Sequence, residues 1–131
     1  MWSAATNPAT TRLGVSDMIV RLWSAHVGEL QSQAYLDHVR GNILPRLRGL
    51  GGYAGATVLS CRMEGKVEIL VATLWRSLEA IREFAGPDLE AAVVADEAAA
   101  LLSKFDRRVR HYELIMTDVP EGSLRSILEP C

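Results

Sequence analysis

Val67-Glu68-Ile69-Leu70-Val71-Ala72-Thr73-Leu74-Trp75 reads as a β-strand with two apolar faces. Successive side chains on a strand point to opposite sides, so Val67, Ile69, Val71, Thr73 and Trp75 form one row. Leu70, Ala72 and Leu74 form the other, and only Glu68 interrupts it. A strand covered on one side alone would alternate apolar and polar residues. Something is therefore expected on each face of this sheet. The chain has helices for one face, so a second copy of the protein is expected on the other.

Outward from this strand the elements follow in order. Glu64-Gly65-Lys66 reads as a tight hairpin turn joining it to a strand over Tyr53–Met63. Before that, Leu36, Val39, Ile43, Leu47 and Leu50 recur at steps of three and four, which predicts an amphipathic helix over Gln31–Leu50. Pro45 lies inside it and cannot donate to the carbonyl of Gly41, so a kink or break is expected there. Gly49, Gly51 and Gly52 end the helix and offer positions for positive φ. Met18–Trp23, rich in β-branched and aromatic residues, predicts the first strand, and Gly28 breaks its pattern.

On the far side, Ser77 is placed to cap a helix with Glu79 in its first turn and Leu78, Ile81 and Ala85 as its buried stripe, Phe84 alongside. Gly86-Pro87 interrupts it. Asp96 is expected to cap an alanine-rich helix burying Leu101, Leu102 and Phe105, and Arg108–Ile115 reads as the last strand. The order β-α-β-β-α-β, with one extra helix, is a ferredoxin-like split βαβ arrangement of α+β class with a four-stranded antiparallel sheet. Its first and third strands are central. Leaving the helix-free apolar face wet would cost roughly 25 cal/mol per Å². Two sheets closing face to face into a dimeric α/β barrel remove that cost, which predicts a homodimer.

Length allows one domain, assigned to residues 18–115, with a flexible lead-in over 1–17 and a tail over 116–131 whose Leu124, Ile127 and Leu128 can dock as a helical turn. The net charge of −2 is spread without a basic stripe, so nucleic acid is not an expected partner. No apolar run approaches the roughly 18–20 residues of a membrane span, and the first sixteen residues do not read as a signal peptide. Cys61 and Cys131 have no metal or redox spacing. A disulfide between them stays open, and a reduced cytoplasmic chain is the simpler reading.

No strong catalytic motif is present, and His26, His38 and His111 have no metal-ligand spacing. His111 and Glu113 share a strand face, where a carboxylate would orient the imidazole and raise its pKa for proton transfer. The alternative is a polar pair at a barrel rim or dimer seam. Trp75 and Trp23, each at the end of an expected central strand, are either core plugs or walls of a pocket between sheet and helices. Arg21 shares a face with Trp23 and either holds an anionic or carbonyl oxygen or snorkels to the rim to pair with a carboxylate. Asp37 and His38, which follow Tyr35 and Leu36 on the first helix, reach the pocket mouth or line a solvated edge.

Three segments carry a resemblance to the antibiotic-biosynthesis-monooxygenase family of dimeric α/β barrels. They are the Pro-interrupted helix running into Gly-Gly-Tyr-Ala-Gly-Ala-Thr-Val-Leu (51–59), the block Leu74-Trp75-Arg76-Ser77-Leu78-Glu79-Ala80-Ile81-Arg82-Glu83-Phe84, and Val109-Arg110-His111-Tyr112-Glu113. The resemblance implies a site between sheet and helices, with Trp75 at the position of a family site residue. It also implies cofactor-independent oxidation of an aromatic substrate, or haem degradation as in a related branch. That branch has a His after the Trp-led helix, where this chain has Asp88-Leu89-Glu90-Ala91-Ala92-Val93, and an Asn on the first strand, where this chain has Arg21 and Trp23. Haem degradation of that type is not expected, and neither a cofactor nor a metal is assigned.

The reading favoured at this level is a monooxygenase-like enzyme acting on a small aromatic or quinonoid molecule. His111 and Trp75 are its assigned catalytic residues, with Arg21, Trp23, Tyr35, His38, Phe84 and Glu113 binding substrate. The alternatives are a non-catalytic ligand-binding or accessory protein on the same barrel, and an isomerase or cyclase of that class. A pocket with Arg21 or His111 on its wall favours the enzyme. A Trp75 that fills the space, with His111 facing outward, favours the binding protein.

Overall fold

A computed structural model describes residues 17–120. Most of the expected lead-in and the Leu124, Ile127 and Leu128 turn lie outside the described residues. Five strands form one antiparallel sheet: β1 (Ile19–Gly28), β2 (Tyr53–Met63), β3 (Lys66–Trp75), β4 (Leu102–Phe105) and β5 (Arg110–Glu113). The order is β2-β3-β1-β4, with β5 also paired to β1. The first and third strands are central, as the two-faced apolar pattern requires. The hairpin turn takes Gly65 to φ 72°, a conformation that costs glycine little.

The four-stranded expectation is corrected in the outer lane beside β1, which two short strands share. Phe105 and Leu102 of β4 face Ala25 and Val27, while β5 pairs with Ile19–Leu22. The stretch Leu102–Phe105 is thus strand, not the end of a helix. The register shifts between His26 and Val27, and the extra residue in β4 brings both Leu102 and Phe105 to the helix side of the sheet. Their spacing of three therefore imitates a helical period. The preceding helix is only Asp96–Leu101, with Ala95 as its cap and Asp96 as its first residue.

The first helical segment runs without a break through α1 (Ser32–His38), a π turn (Val39–Ile43) and α2 (Leu44–Arg48). The Leu44 N–H donates to Val39 O, five residues back. This wider turn accommodates Pro45, which lacks an N–H and would crowd the carbonyl four residues before it. None of Gly49, Gly51 and Gly52 takes positive φ. Gly52 is needed for another reason: a Cβ there would lie 2.1 Å from the Ala80 methyl. The close approach seats α3 (Leu78–Ala85) on the sheet. Ser77 Oγ accepts the Ala80 N–H at 3.1 Å and caps it. Its buried residues are Ala80 and Ile81, while Leu78 is 47% exposed, so the stripe is centred on neighbouring positions from those expected.

The two rows of β3 differ in cover. Val67, Ile69, Thr73 and Trp75 are buried under the helices, with Arg21, Ala25 and Val27 beside them on β1. Leu70, Ala72 and Leu74 are half-buried on the opposite face. Their neighbour Leu59, opposite Leu70, is 50% exposed. Among the described residues no helix is long and apolar enough to cross a membrane.

Candidate functional site

Between the helices and the sheet lies a cavity of about 360 Å³. β1 contributes Arg21 and Trp23, β3 contributes Val71 and Thr73, and α1 with the π turn contributes Tyr35, His38, Val39 and Asn42. Phe84 of α3 and Val93, Val94 and Ala98 from the region of the Asp96–Leu101 helix complete most of the wall. Exposed Asn42, Arg46, Ala95 and Glu97 mark the mouth. Most of this surface is apolar and aromatic, the usual make-up of a small-molecule pocket.

Arg21 is the exception, and it is only 4% exposed. Its Nη1 donates to Leu89 O at 2.5 Å and lies 3.1 Å from His111 Nε2; its Nη2 donates to Ala91 O at 2.6 Å. The guanidinium also sits 5.6 Å from the centre of the Phe84 ring. No carboxylate bonds to it among the described residues, so the expected alternative of a rim ion pair does not hold. Burial lowers its pKa to about 10, which leaves it cationic at neutral pH.

Asp88 and Glu90, flanking Leu89, are held instead by Arg108. Its guanidinium reaches Asp88 at 2.6 and 3.2 Å and Glu90 at 3.3 Å. Those hydrogen bonds hold the Asp88 carboxyl below the usual carboxylate range. The segment thus turns its carbonyls inward to Arg21 and its charges outward.

His111 is not in the cavity wall. It faces a second groove with Glu90, Arg108 and Tyr112, and its cross-strand neighbour is Arg21. A guanidinium can only donate, so His111 Nε2 accepts and its proton sits on Nδ1. Burial lowers the His111 pKa, Arg21 lowers it further, and Glu90 opposes the shift more weakly. The expected raising by Glu113 is therefore corrected: Glu113 is exposed, opposite Ile19, and the charge closest in effect is a cation.

Trp75 also differs from expectation. It is fully buried behind the cavity wall, with its Nε1–H donated to Thr73 Oγ1 at 2.8 Å. Its ring stacks on Phe84 at 5.6 Å and 27° and meets Tyr53 edge-on at 5.6 Å. It supports the wall through Phe84 and Thr73 without forming it. Trp23 does line the cavity, and its Nε1–H is committed to Asp106 O at 2.7 Å, so the ring is what it offers a ligand.

On the helix side, Asn42 Nδ2 lies 2.9 Å from His38 Nδ1. An amide nitrogen only donates, so His38 Nδ1 accepts and its proton sits on Nε2. That Nε2 is buried and has no partner among the described residues. Tyr35 packs nearby, 6.4 Å ring to ring, and burial pushes its hydroxyl up to about 12, so it stays protonated at neutral pH. Asn42 and Arg46 were not singled out from sequence. Asn42 lies four residues after His38 and Arg46 four after Asn42, which places all three along one helical face and is the signal that finds them. Among the described residues no group of three or more His, Cys, Asp or Glu gathers to hold a metal.

Neither a family sequence model nor a curated protein matches the chain. Solved structures do. A candidate antibiotic biosynthesis monooxygenase from Bacillus cereus matches with 19% identity and TM-score 0.54, over 78% of this chain and 97% of that one. A monooxygenase of Streptomyces coelicolor, in complex with the ligand nanaomycin D, matches with 17% identity and TM-score 0.53, over 83% and 96%. A hydroxynitrile lyase from Passiflora edulis matches with 13% identity and TM-score 0.50, over 80% and 99%. At such identities a likeness establishes architecture: this chain has the ferredoxin-like α+β fold of the antibiotic biosynthesis monooxygenase-type structures, as the resemblance of its segments implied.

Proposed function

We propose that the protein is a cofactor-independent monooxygenase-like enzyme acting on a small aromatic or quinonoid substrate in the cavity between sheet and helices. The observation that carries this reading is a buried guanidinium, Arg21, on the wall of a mostly apolar and aromatic cavity. Trp23 and Phe84 pack against the substrate ring, and Arg21 stabilises negative charge developing on its oxygen. In the reaction a phenolic ring and O₂ give a quinone and water. One oxygen atom enters the ring as a carbonyl, the other leaves as water, and the substrate supplies the electrons. His38, on the wall with its proton on Nε2, acts as the proton donor in place of His111. His111 acts as a positioning residue by holding Arg21.

The half-exposed apolar face of β3 and β2 supports a homodimer that closes it. Oxygen uptake with a panel of hydroxylated naphthalenic and anthracyclic compounds tests the enzyme. We expect uptake that falls by about a hundredfold in Arg21→Met and by about tenfold in His38→Ala. No uptake by the wild type, or uptake unchanged in Arg21→Met, overturns it. The second reading, a binding protein or a non-oxidative enzyme of the same barrel, is favoured by His111 lying outside the cavity. The likeness to a lyase is consistent with one fold hosting several chemistries. Ligand binding without oxygen uptake selects it.

A further inference from the structure

We infer that the cavity takes its ligand as an anion, an aromatic acid or an acidic hydroxyquinone whose charged oxygen sits on Arg21. This rests on the aromatic-ligand reading above and specifies the substrate class within it. Arg21 is buried and cationic, and among the described residues its hydrogen-bond partners are neutral: two backbone carbonyls and an imidazole that accepts from it. A buried ion without a counter-ion is unfavourable, and proteins ordinarily avoid it by pairing.

Here the pairing groups are within the same segment and are turned away. Asp88 and Glu90 flank Leu89, yet both side chains point outward into the fork of Arg108. The arrangement denies Arg21 an internal counter-ion. A guanidinium has five N–H donors, and three contacts are accounted for among the described residues, which leaves one on Nη2 and the one on Nε for a ligand. Two donors in one plane suit a carboxylate or an ionised hydroxyl beside a carbonyl.

A second cation strengthens the case. The Arg46 guanidinium lies 5.4 Å from the centre of the Phe84 ring, which Arg21 also approaches. Arg46 stands at the mouth and Arg21 deeper, so an incoming anion meets positive charge along its path. Glu97 is the one carboxylate among the lining residues, and it is exposed at the mouth.

The test compares an acidic hydroxynaphthoquinone, ionised at neutral pH, with its neutral methyl ether, which keeps the same rings. Titration calorimetry of the whole chain should show the anion binding at least about tenfold more tightly. In Arg21→Met that preference should fall below about twofold, with the ether retained. Arg108→Gln changes an exposed residue and releases Asp88 and Glu90 towards Arg21. It should weaken the anion severalfold and leave the ether unchanged, which keeps the test open should Arg21→Met not fold. Equal binding of both compounds overturns the inference while the aromatic cavity stands. A preference that survives in Arg21→Met overturns the assignment to Arg21. Binding of neither compound overturns both the inference and the reading beneath it.

Discussion

The two faces of the sheet are built from similar rows of apolar residues and are finished in opposite ways. On the helix side the chain covers its own strands, fills most of the space with Trp75, Ile69 and Val27, and leaves one cavity with a charge in its wall. On the other side Leu70, Ala72 and Leu74 remain half-buried, and Leu59 beside them is 50% exposed. The difference teaches that hydrophobicity alone does not tell what a surface meets. The covered face is completed by its own helices and, in our reading, by a small molecule. The open face, in the same reading, is completed by a second copy.

The largest expected effect lies on the covered face. Trp75→Ala removes a fully buried ring that supports Phe84 and Thr73, and should cost about 3–5 kcal/mol in denaturant unfolding. A loss under about 1 kcal/mol would mean that the face is less tightly completed than its contacts indicate. Next is Leu70→Glu on the open face. It should weaken self-association about a hundredfold in sedimentation, with the circular dichroism spectrum unchanged. A monomeric mass for the wild type at micromolar concentration removes the dimer altogether.

Smaller effects separate support from function. Gly52→Ala brings a methyl group against Ala80, where no flexible side chain can give way, and should cost about 1–3 kcal/mol while ligand affinity changes little. The smallest effect is a slope with pH. The folded His111 pKa lies below that of the unfolded chain, so between the two values the unfolded state binds more protons. Stability should therefore fall as pH drops from about 6.5 through the lowered pKa, where imidazolium would face Arg21. His111→Asn should flatten that part of the profile. An unchanged slope would show that His111 does not titrate against Arg21.

Much of the fold is legible in the residues because local signals agree there. The strand 67–75, its hairpin at Gly65 and the Ser77 cap each have one physical reading, and tertiary packing does not contradict them. Leu102–Phe105 is illegible for a definite reason: a bulge makes two residues three apart share a strand face, which periodicity assigns to a helix. The site divides in the same way. Aromatic and basic residues on β1, α1 and α3 mark the region of the cavity. What sequence does not carry is the cross-strand register. Glu113 stands two residues from His111 in the chain, whereas Arg21 is opposite it in the sheet. The histidine's chemistry follows the neighbour that only pairing reveals. Trp75 is a related case, since an aromatic at a strand end can line a wall or stand behind it with equal local propriety.

The π turn at Val39–Ile43 has a consequence best put in terms of phase. In an α-helix each residue advances the side-chain direction by about 100°. The widened turn therefore determines how the faces before and after it are aligned. Ahead of it Tyr35 points into the core and His38 lines the cavity; beyond it Leu47 is buried and Arg46 reaches the cavity mouth. Closing the turn into regular α geometry with every residue kept would turn everything after it by about 100°. Leu47 would leave its core position and Arg46 its place beside Phe84. A helix more regular in its hydrogen bonds would then be out of step with the sheet it covers.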